Sequence, residues 1–586
     1  NYIQYLTIGA LLMGSLTSCN DFLDREPLDK VTPEKFFSAE ADLAAYAINN
    51  YKFVTVDDKY GINLFGKDND TDNQASGTSN SFWIPGEKKV AADRGEWKWE
   101  DIRSCNYFFD QVLPRYEEGA ITGNQDNVKH YIGEMYVNRA YSYFQLFTKF
   151  GDLPIVTTAL PDIQGELVEA SKRQPRHKVA RFIIEDLKKA EDMLLNNPPG
   201  GKNRISKNVA YLLHARVALY EATWEKYHAG TALVPNGTGW PGAGKDYNAG
   251  YQFPSGSIEK EIEFFLTEAM SAASQVADAV QLTENNQIIR DQASKGKNPY
   301  YDMFASHDPS GYSEVIMYRG YDLSLNNSHH FNHYLYSGGN TGYTHQFEQV
   351  FLMENGLPVY AAGSGYAGDD YITDTKIDRD WRWRLFMKAP KEAKAVDNIA
   401  TVEYFPEAPR LYVSDAKNAT STGYIQGKGY SLDYNDQLLG KDQTAFVVYR
   451  ASEAYLNYIE ASYLKNGNID ATADKYWKAL RARAGVDTDY QKTINATDMS
   501  KEALNGWDAY SHGALVDATL YNIRRERRCE FIGEGFRYMD LIRWRALDQL
   551  NGYQLEGAKI FGPMKSIFGD NLKYDQADEK NNNVSS

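Results

Sequence analysis

The sequence predicts a mainly α-helical protein made of serial antiparallel helix pairs, a tetratricopeptide-like scaffold carrying a large irregular region. Three observations predict it. Apolar residues recur at i, i+3, i+4 spacing over long stretches in both halves of the chain. Gly, Pro and Asn punctuate those stretches at helix-length intervals. Between about 286 and 440 the periodicity gives way to Gly, Asn, Asp and Tyr with short strand-like pieces such as EVIMYRG. An irregular segment of that length in a compact protein is usually functional or disordered, and its aromatic content favours an ordered, functional one. No repeat consensus is legible, so the scaffold assignment rests on helix pairing.

The elements follow in order. Trp97 and Trp99 precede a helix expected from about Asp101, with Ile102, Cys105, Phe109 and Val112 as its stripe. The next helix carries Ile132, Met135, Tyr136, Ala140, Tyr143, Phe144 and Phe147 on one face; Gly151 stops it and Pro154 lies beyond. A helix near 177–195 has the stripe Val179, Phe182, Ile183, Leu187, Ala190 and Leu194, and NNPPGG ends it. Another runs near 206–226 with Ser206 as its expected N-cap. Residues 229–257, rich in Gly, Pro and Tyr, read as a long loop, followed by a helix near 257–282. Helical periodicity returns over 447–485 as a pair broken at Asn466–Gly467, and DATLYNIRRERRCEFIGEG with FRYMDLIRWRAL forms the last pair. The tail YDQADEKNNNVSS reads as frayed.

At the other end, Tyr5–Ser18 is an apolar run too short to cross a bilayer, which takes roughly 20 residues. It has the length of a secretory signal core, about 7–15 residues. Leu16-Thr17-Ser18-Cys19 resembles a bacterial lipobox, which implies cleavage before Cys19 and acylation of that residue. Several acyl chains on one residue anchor stably where one does not. The reading expects a Met and a basic stretch upstream of Asn1. It divides the chain into a signal peptide at 1–18, a lipid-anchored polar tether at 19–30 and a single domain at 31–586. That domain comprises helical scaffold at about 31–285 and 441–550 and the irregular face at about 286–440.

Composition narrows the function. The 586 residues are 42% hydrophobic and 24% charged, a globular balance. The net charge of −16 disfavours a nucleic-acid partner, which needs clustered Lys and Arg. Beyond Cys19 only Cys105 and Cys529 remain, too few for a disulfide framework. The 43 Tyr, 26 Phe and 10 Trp are the unusual feature. Tyr and Trp offer a rigid apolar face with a hydrogen-bonding edge, which suits a core, a protein interface or a sugar platform alike.

Candidate ligand residues follow from chemistry and location. Trp97 and Trp99, two apart in GEWKWED, face the same way in an extended segment and offer either a helix anchor or a stacking platform. Trp83 sits in a Gly/Ser/Asn-rich stretch, and Asp72 in DNDTDN offers a carboxylate to a sugar hydroxyl. Asp68, Asp70 and Asp72 open like a calcium loop, but Asn73 and Ser79 occupy the positions where an EF-hand needs Gly and Glu. His329, His330 and His333 have no Cys or carboxylate beside them in sequence, so an exposed loop is expected rather than a metal site. GSGYAG, 363–368, lacks the strand and helix that a dinucleotide site requires. Glu526, Glu530 and Glu534 alternate with Arg524, Arg525, Arg527 and Arg528 at helical spacing; an ion network locking the scaffold is expected rather than an acid/base pair.

Several of these stretches together resemble the SusD/RagB nutrient-binding lipoproteins of the Bacteroidetes outer membrane. They are CNDFLDREP at 19–27, RAYSYFQLFTKFGDLPIV, FLMENGLPV at 351–359, RASEAYLNYIEASY at 450–463, RARAG at 481–485 and RRERRCEFIGEGFRYMDLIRW at 524–544. One departure is RDWRWR, where Trp381 occupies a position that is usually Pro, and Trp381 joins the candidate stacking residues. The resemblance implies helix pairs bearing a loop-rich ligand face. It also implies a SusC-type TonB-dependent transporter as partner, capture of oligosaccharides or, in some members, peptides, and no reaction and no cofactor. Surface glycoside hydrolysis and peptide capture stay open as alternatives, since the sequence does not name the ligand.

Overall fold

The computed structural model describes residues 36–53, 66–77, 86–87, 93, 95–411, 416–550, 553–569, 573–574 and 584–585. Cys19, the lipobox and Trp83 lie outside the described residues. Ten helices carry the architecture: α1 (Glu40–Asn49), α2 (Glu100–Glu117), α3 (Gln125–Phe150), α4 (Arg176–Met193), α5 (Lys207–His228), α6 (Ile258–Ala277), α7 (Ser452–Asn466), α8 (Ala471–Arg483), α9 (Ala518–Glu530) and α10 (Arg537–Arg543). Helix α3 packs on α4, α4 on α5, α5 on α6, α6 on α7 and α7 on α8, a row of antiparallel neighbours. The predicted helix-pair scaffold is therefore what forms. It bridges the irregular region: α6, before it in sequence, lies against α7, after it.

Local chemistry sets the boundaries. Asn124 caps α3 by accepting from the amides of Asp126 and Asn127, and Gly151 ends it at φ 67°, a conformation that favours Gly. Gly467 closes α7 in the left-handed region, and the side chain of Asp470 caps α8. Ser206 stands at the expected cap of α5, but its side chain makes no capping bond. The apolar stripes of α2 to α8 merge into one core, with Ile132, Val179, Leu213 and Trp477 all fully buried.

One expectation is corrected at the scaffold edge. Phe446–Arg450 is a strand, not the start of a helix. Its Phe-Val-Val-Tyr run has high strand propensity and pairs antiparallel with Val315–Arg319, from Val315↔Arg450 to Arg319↔Phe446. The irregular region is ordered around its own aromatic core. Trp383, fully buried, packs its ring 5.1 Å from Phe351 and 5.7 Å from Tyr424. No described helix is long and apolar enough to cross a membrane.

Candidate functional site

The C-terminal signature is scaffold. Arg524, Arg525, Glu526, Arg527, Arg528 and Glu530 are all buried on α9. Glu530 accepts from Arg450 at 2.6 Å, from Arg483 and from Tyr300 at 3.3 Å, and Arg382 adds a contact at 3.4 Å. Glu314 braces Arg450 at 2.9 Å and Arg483 at 2.8 Å from the other side. These cations hold the Glu530 carboxyl well below the usual range, against the opposing effect of burial. On α10, Arg543 takes Glu460 of α7 through two bonds of 2.6 and 2.7 Å. A cavity of about 340 Å³ lies in this seam. Arg216 is paired with Glu453 at 2.7 Å and Lys428 with Glu534, while Lys67 lies 4.9 Å over the Phe446 ring.

Two candidate ligand residues are drawn into the same scaffold, which corrects the expectation for both. Asp72 is fully buried, and Arg537 donates to both its oxygens at 2.7 and 2.6 Å. Its remaining capacity goes to the Trp507 amide at 2.8 Å, so it presents no oxygen to a sugar hydroxyl. Trp381 is 5% exposed, its indole N–H donates to Glu354, and Arg384 lies 4.0 Å over its ring. It starts a short helix after Asp380, whose side chain caps it, in place of the turn a Pro would fix. His329 and His333 are structural, not parts of an exposed loop: His329 is buried and His333 lies on the short helix Phe331–Leu335. His329 Nε2 donates to the Thr444 carbonyl at 2.9 Å, and His333 Nδ1 to that of Gln437 at 3.0 Å. Cys105 and Cys529 are separate buried thiols, and burial raises the pKa of both.

Trp97 and Trp99 are different. Both are half-buried. Trp99 stands at the N-cap position of α2. The rings meet edge to face at 5.4 Å, with Trp97 braced by Phe150 at 4.9 Å and Trp99 by Tyr143 at 5.9 Å. They line an open groove of about 280 Å³ together with Val156, Leu160 and Leu167. The Trp99 indole N–H has no hydrogen-bond partner among the described residues. Ile163, Leu167 and Val168, on and just before the short helix Gln164–Ala170, are 52%, 37% and 64% exposed, an apolar lip beside the aromatic wall. No carboxylate lines the groove among the described residues. Aromatic faces and exposed apolar surface suit a ligand with C–H faces, while the Trp99 N–H is itself buried and does not open onto the groove.

A residue the sequence reading overlooked stands between the groove and a second hollow. The Arg173 guanidinium lies 4.4 Å over the Trp97 ring and also lines a second hollow of about 240 Å³. Trp224, Trp240, Tyr247 and Lys245 line that hollow with it. Trp240 is oriented by its indole N–H on Asp152 at 2.7 Å. For Trp240 the signal was the TGWPG stretch inside the 229–257 loop.

Comparisons with known proteins agree with the architecture. The profile of the SusD family matches residues 287–585, and one described as "Starch-binding associating with outer membrane" matches residues 21–219. The SusD-like protein P2 of Formosa agariphila is 25% identical over 201 residues, 33% of this chain and 38% of that protein. The matched stretch thus spans well under half the length of that curated relative. A solved SusD-like carbohydrate binding protein from Bacteroides fragilis NCTC 9343 shares the fold with a TM-score of 0.59 at 16% identity, over 93% of both chains. A structure solved with xylogluco-oligosaccharide matches with a TM-score of 0.52 at 17% identity, over 87% of this chain and 85% of that one.

Proposed function

This chain belongs to the SusD family, and on that premise we propose that it captures glycans at the cell surface and passes them, chemically unchanged, to a SusC-type TonB-dependent transporter. In this reading Cys19 carries the lipid anchor in the outer membrane, and 19–30 is the tether to a single domain. Trp97 and Trp99 are the ligand platform, Trp83 remains a candidate stacking residue from the sequence, and Arg173 leads toward a second subsite at Tyr247.

The observation that carries the proposal is the Trp97–Trp99 groove. Two half-buried indoles meet edge to face and are braced by Phe150 and Tyr143. Holding the rings in place before a ligand arrives lowers the ordering cost of binding. The related proteins described as starch-binding, as carbohydrate binding and as solved with xylogluco-oligosaccharide support a glycan as the ligand class. Glycoside hydrolysis takes two carboxylates across a cleft, about 5–10 Å apart, and the absence of any carboxylate from the described groove lining favours capture over cleavage.

The test is electrophoresis of the soluble chain, truncated after Cys19, through native gels cast with a panel of polysaccharides. Retardation in at least one glycan is expected, weakened by Trp97→Ala and by Trp99→Ala. Truncating an aromatic anchor in a pocket costs about 2 kcal/mol, some thirtyfold in affinity. Retardation unchanged in both variants would move the site elsewhere. Shortening of the glycan by pure protein would favour the hydrolase.

A further inference from the structure

Behind the Trp240 hollow, between α4 and α5, lies a cluster the ligand face does not use. His177 is the second residue of α4, and Glu221 and Glu225 stand one turn apart on α5, on the face that packs against it. All three are fully buried. One ligand atom from each can be chosen so that all lie within 4.8 Å of one another. We propose that His177, Glu221 and Glu225 form a buried site for a divalent transition cation of mixed nitrogen and oxygen preference, with Zn²⁺ as the reference ion.

The hydrogen-bond account of the cluster is incomplete without one. His177 Nδ1 stands 3.1 Å from Glu225 Oε1 but lacks hydrogen-bond alignment. Both ring nitrogens and both Glu225 oxygens are without a partner among the described residues. Buried polar groups are almost always satisfied, and a cluster of orphans in one place calls for a missing partner. Neighbouring residues do not supply it. Glu261 is fully engaged, by Arg181 at 2.6 and 3.0 Å and by the Ser255 amide at 3.0 Å.

The surroundings resemble the outer shell of a metal site. Arg176 grips Glu221 through Nε to both oxygens at 3.0 Å and Nη2 to Oε2 at 2.7 Å, which fixes the carboxylate and leaves a lone pair on Oε1. Phe253 and Tyr251 pack on the His177 ring at 4.8 and 5.3 Å, and the Tyr251 hydroxyl is itself unpartnered. One imidazole with two carboxylates is a zinc-type set that leaves a fourth position for water or a hydroxyl. Calcium and magnesium prefer oxygen alone. With bonds of about 2.0–2.2 Å, the three donors need to close by no more than small rotamer shifts. The ion would bolt α4 to α5 directly behind Trp240, which packs on Tyr251 at 5.5 Å.

The experiment is metal analysis of the full folded chain after equilibration with excess Zn²⁺ and gel filtration, for wild type, His177→Ala and Glu225→Gln. About one ion per chain is expected for wild type, with the Glu225→Gln value lower by most of one ion. The Zn²⁺-induced rise in Tm should be present in wild type and absent in Glu225→Gln. Glu225→Gln keeps the side-chain shape and removes a buried charge, so it carries the test if His177→Ala does not fold. Wild-type protein that takes up no Zn²⁺, or Glu225→Gln that takes up as much as wild type, would overturn the proposal and leave a proton shared between His177 and Glu225.

Discussion

Replacing Glu530 by Gln tests whether the signature helix is a lock or a site. The carboxylate is fully buried and contacts Arg382, Arg450, Arg483 and Tyr300. Removing one partner from a buried ion pair costs about 3–5 kcal/mol, because the other charge stays buried. Gln keeps the volume and one carbonyl acceptor, so the lower end, about 3 kcal/mol, is expected. Heat is a blunt assay for it. An unfolding entropy of about 2.1 cal/mol/K per residue over 586 residues makes 3 kcal/mol a shift of only about 2–3 °C. Denaturant is sharper, read as a change of midpoint at constant slope. The pH dependence has a definite sign. The folded-state pKa is depressed, so the wild-type advantage is complete above the unfolded Glu value, about 4.3, and declines as pH falls below it. A loss under about 1 kcal/mol would refute the reasoning, as would abolished glycan retention at unchanged stability.

Asp68 carries the opposite sign. Burial pushes its carboxyl up to about 6, and one oxygen has no partner, although the Arg537 amide donates to the other at 3.2 Å. Such a group destabilises the fold as pH rises from the unfolded value to the folded one, and the deficit is constant above that. Asp68→Asn should therefore gain on the order of 1–2 kcal/mol at pH 8. The gain should vanish below about pH 4, read from denaturant midpoints at both pH values. At the other end of the chain, Cys19→Ala should leave the protein uncleaved and unlipidated, seen as a heavier band that takes up no labelled fatty acid. Normal processing of that variant would remove the lipobox reading.

The helices were legible because their information is local. The stripes of α3, α4 and α5, with stops at Gly151 and NNPPGG, sit within a few residues of what they determine. The Arg/Glu alternation of α9 was likewise legible as a lock, since that many charges on one helix must find partners. What escaped was long-range. Asp72 looks like a free loop carboxylate until Arg537 arrives from 465 residues away. Trp381 looks like a platform until Glu354 and Arg384 enclose it. The strand at Phe446–Arg450 runs straight into a helix, and only its pairing with 315–319 separates the two. Arg173 was invisible because nothing local brings it to Trp97.

The lock also sets an order of assembly. The buried charges of Asp72, Arg382, Arg450, Glu460 and Arg483 all find counterions between residues 526 and 543. A ribosome makes those counterions in roughly the last tenth of the chain. Until they emerge, Asp72 and Glu460 lack the arginines that neutralise them, whereas Arg382 already has Asp380, and Arg450 and Arg483 already have Glu314. Contacts of such sequence separation close slowly. The seam between the helix row and the irregular region is thus the last joint of the protein to set, and the C-terminus is the mortar in it.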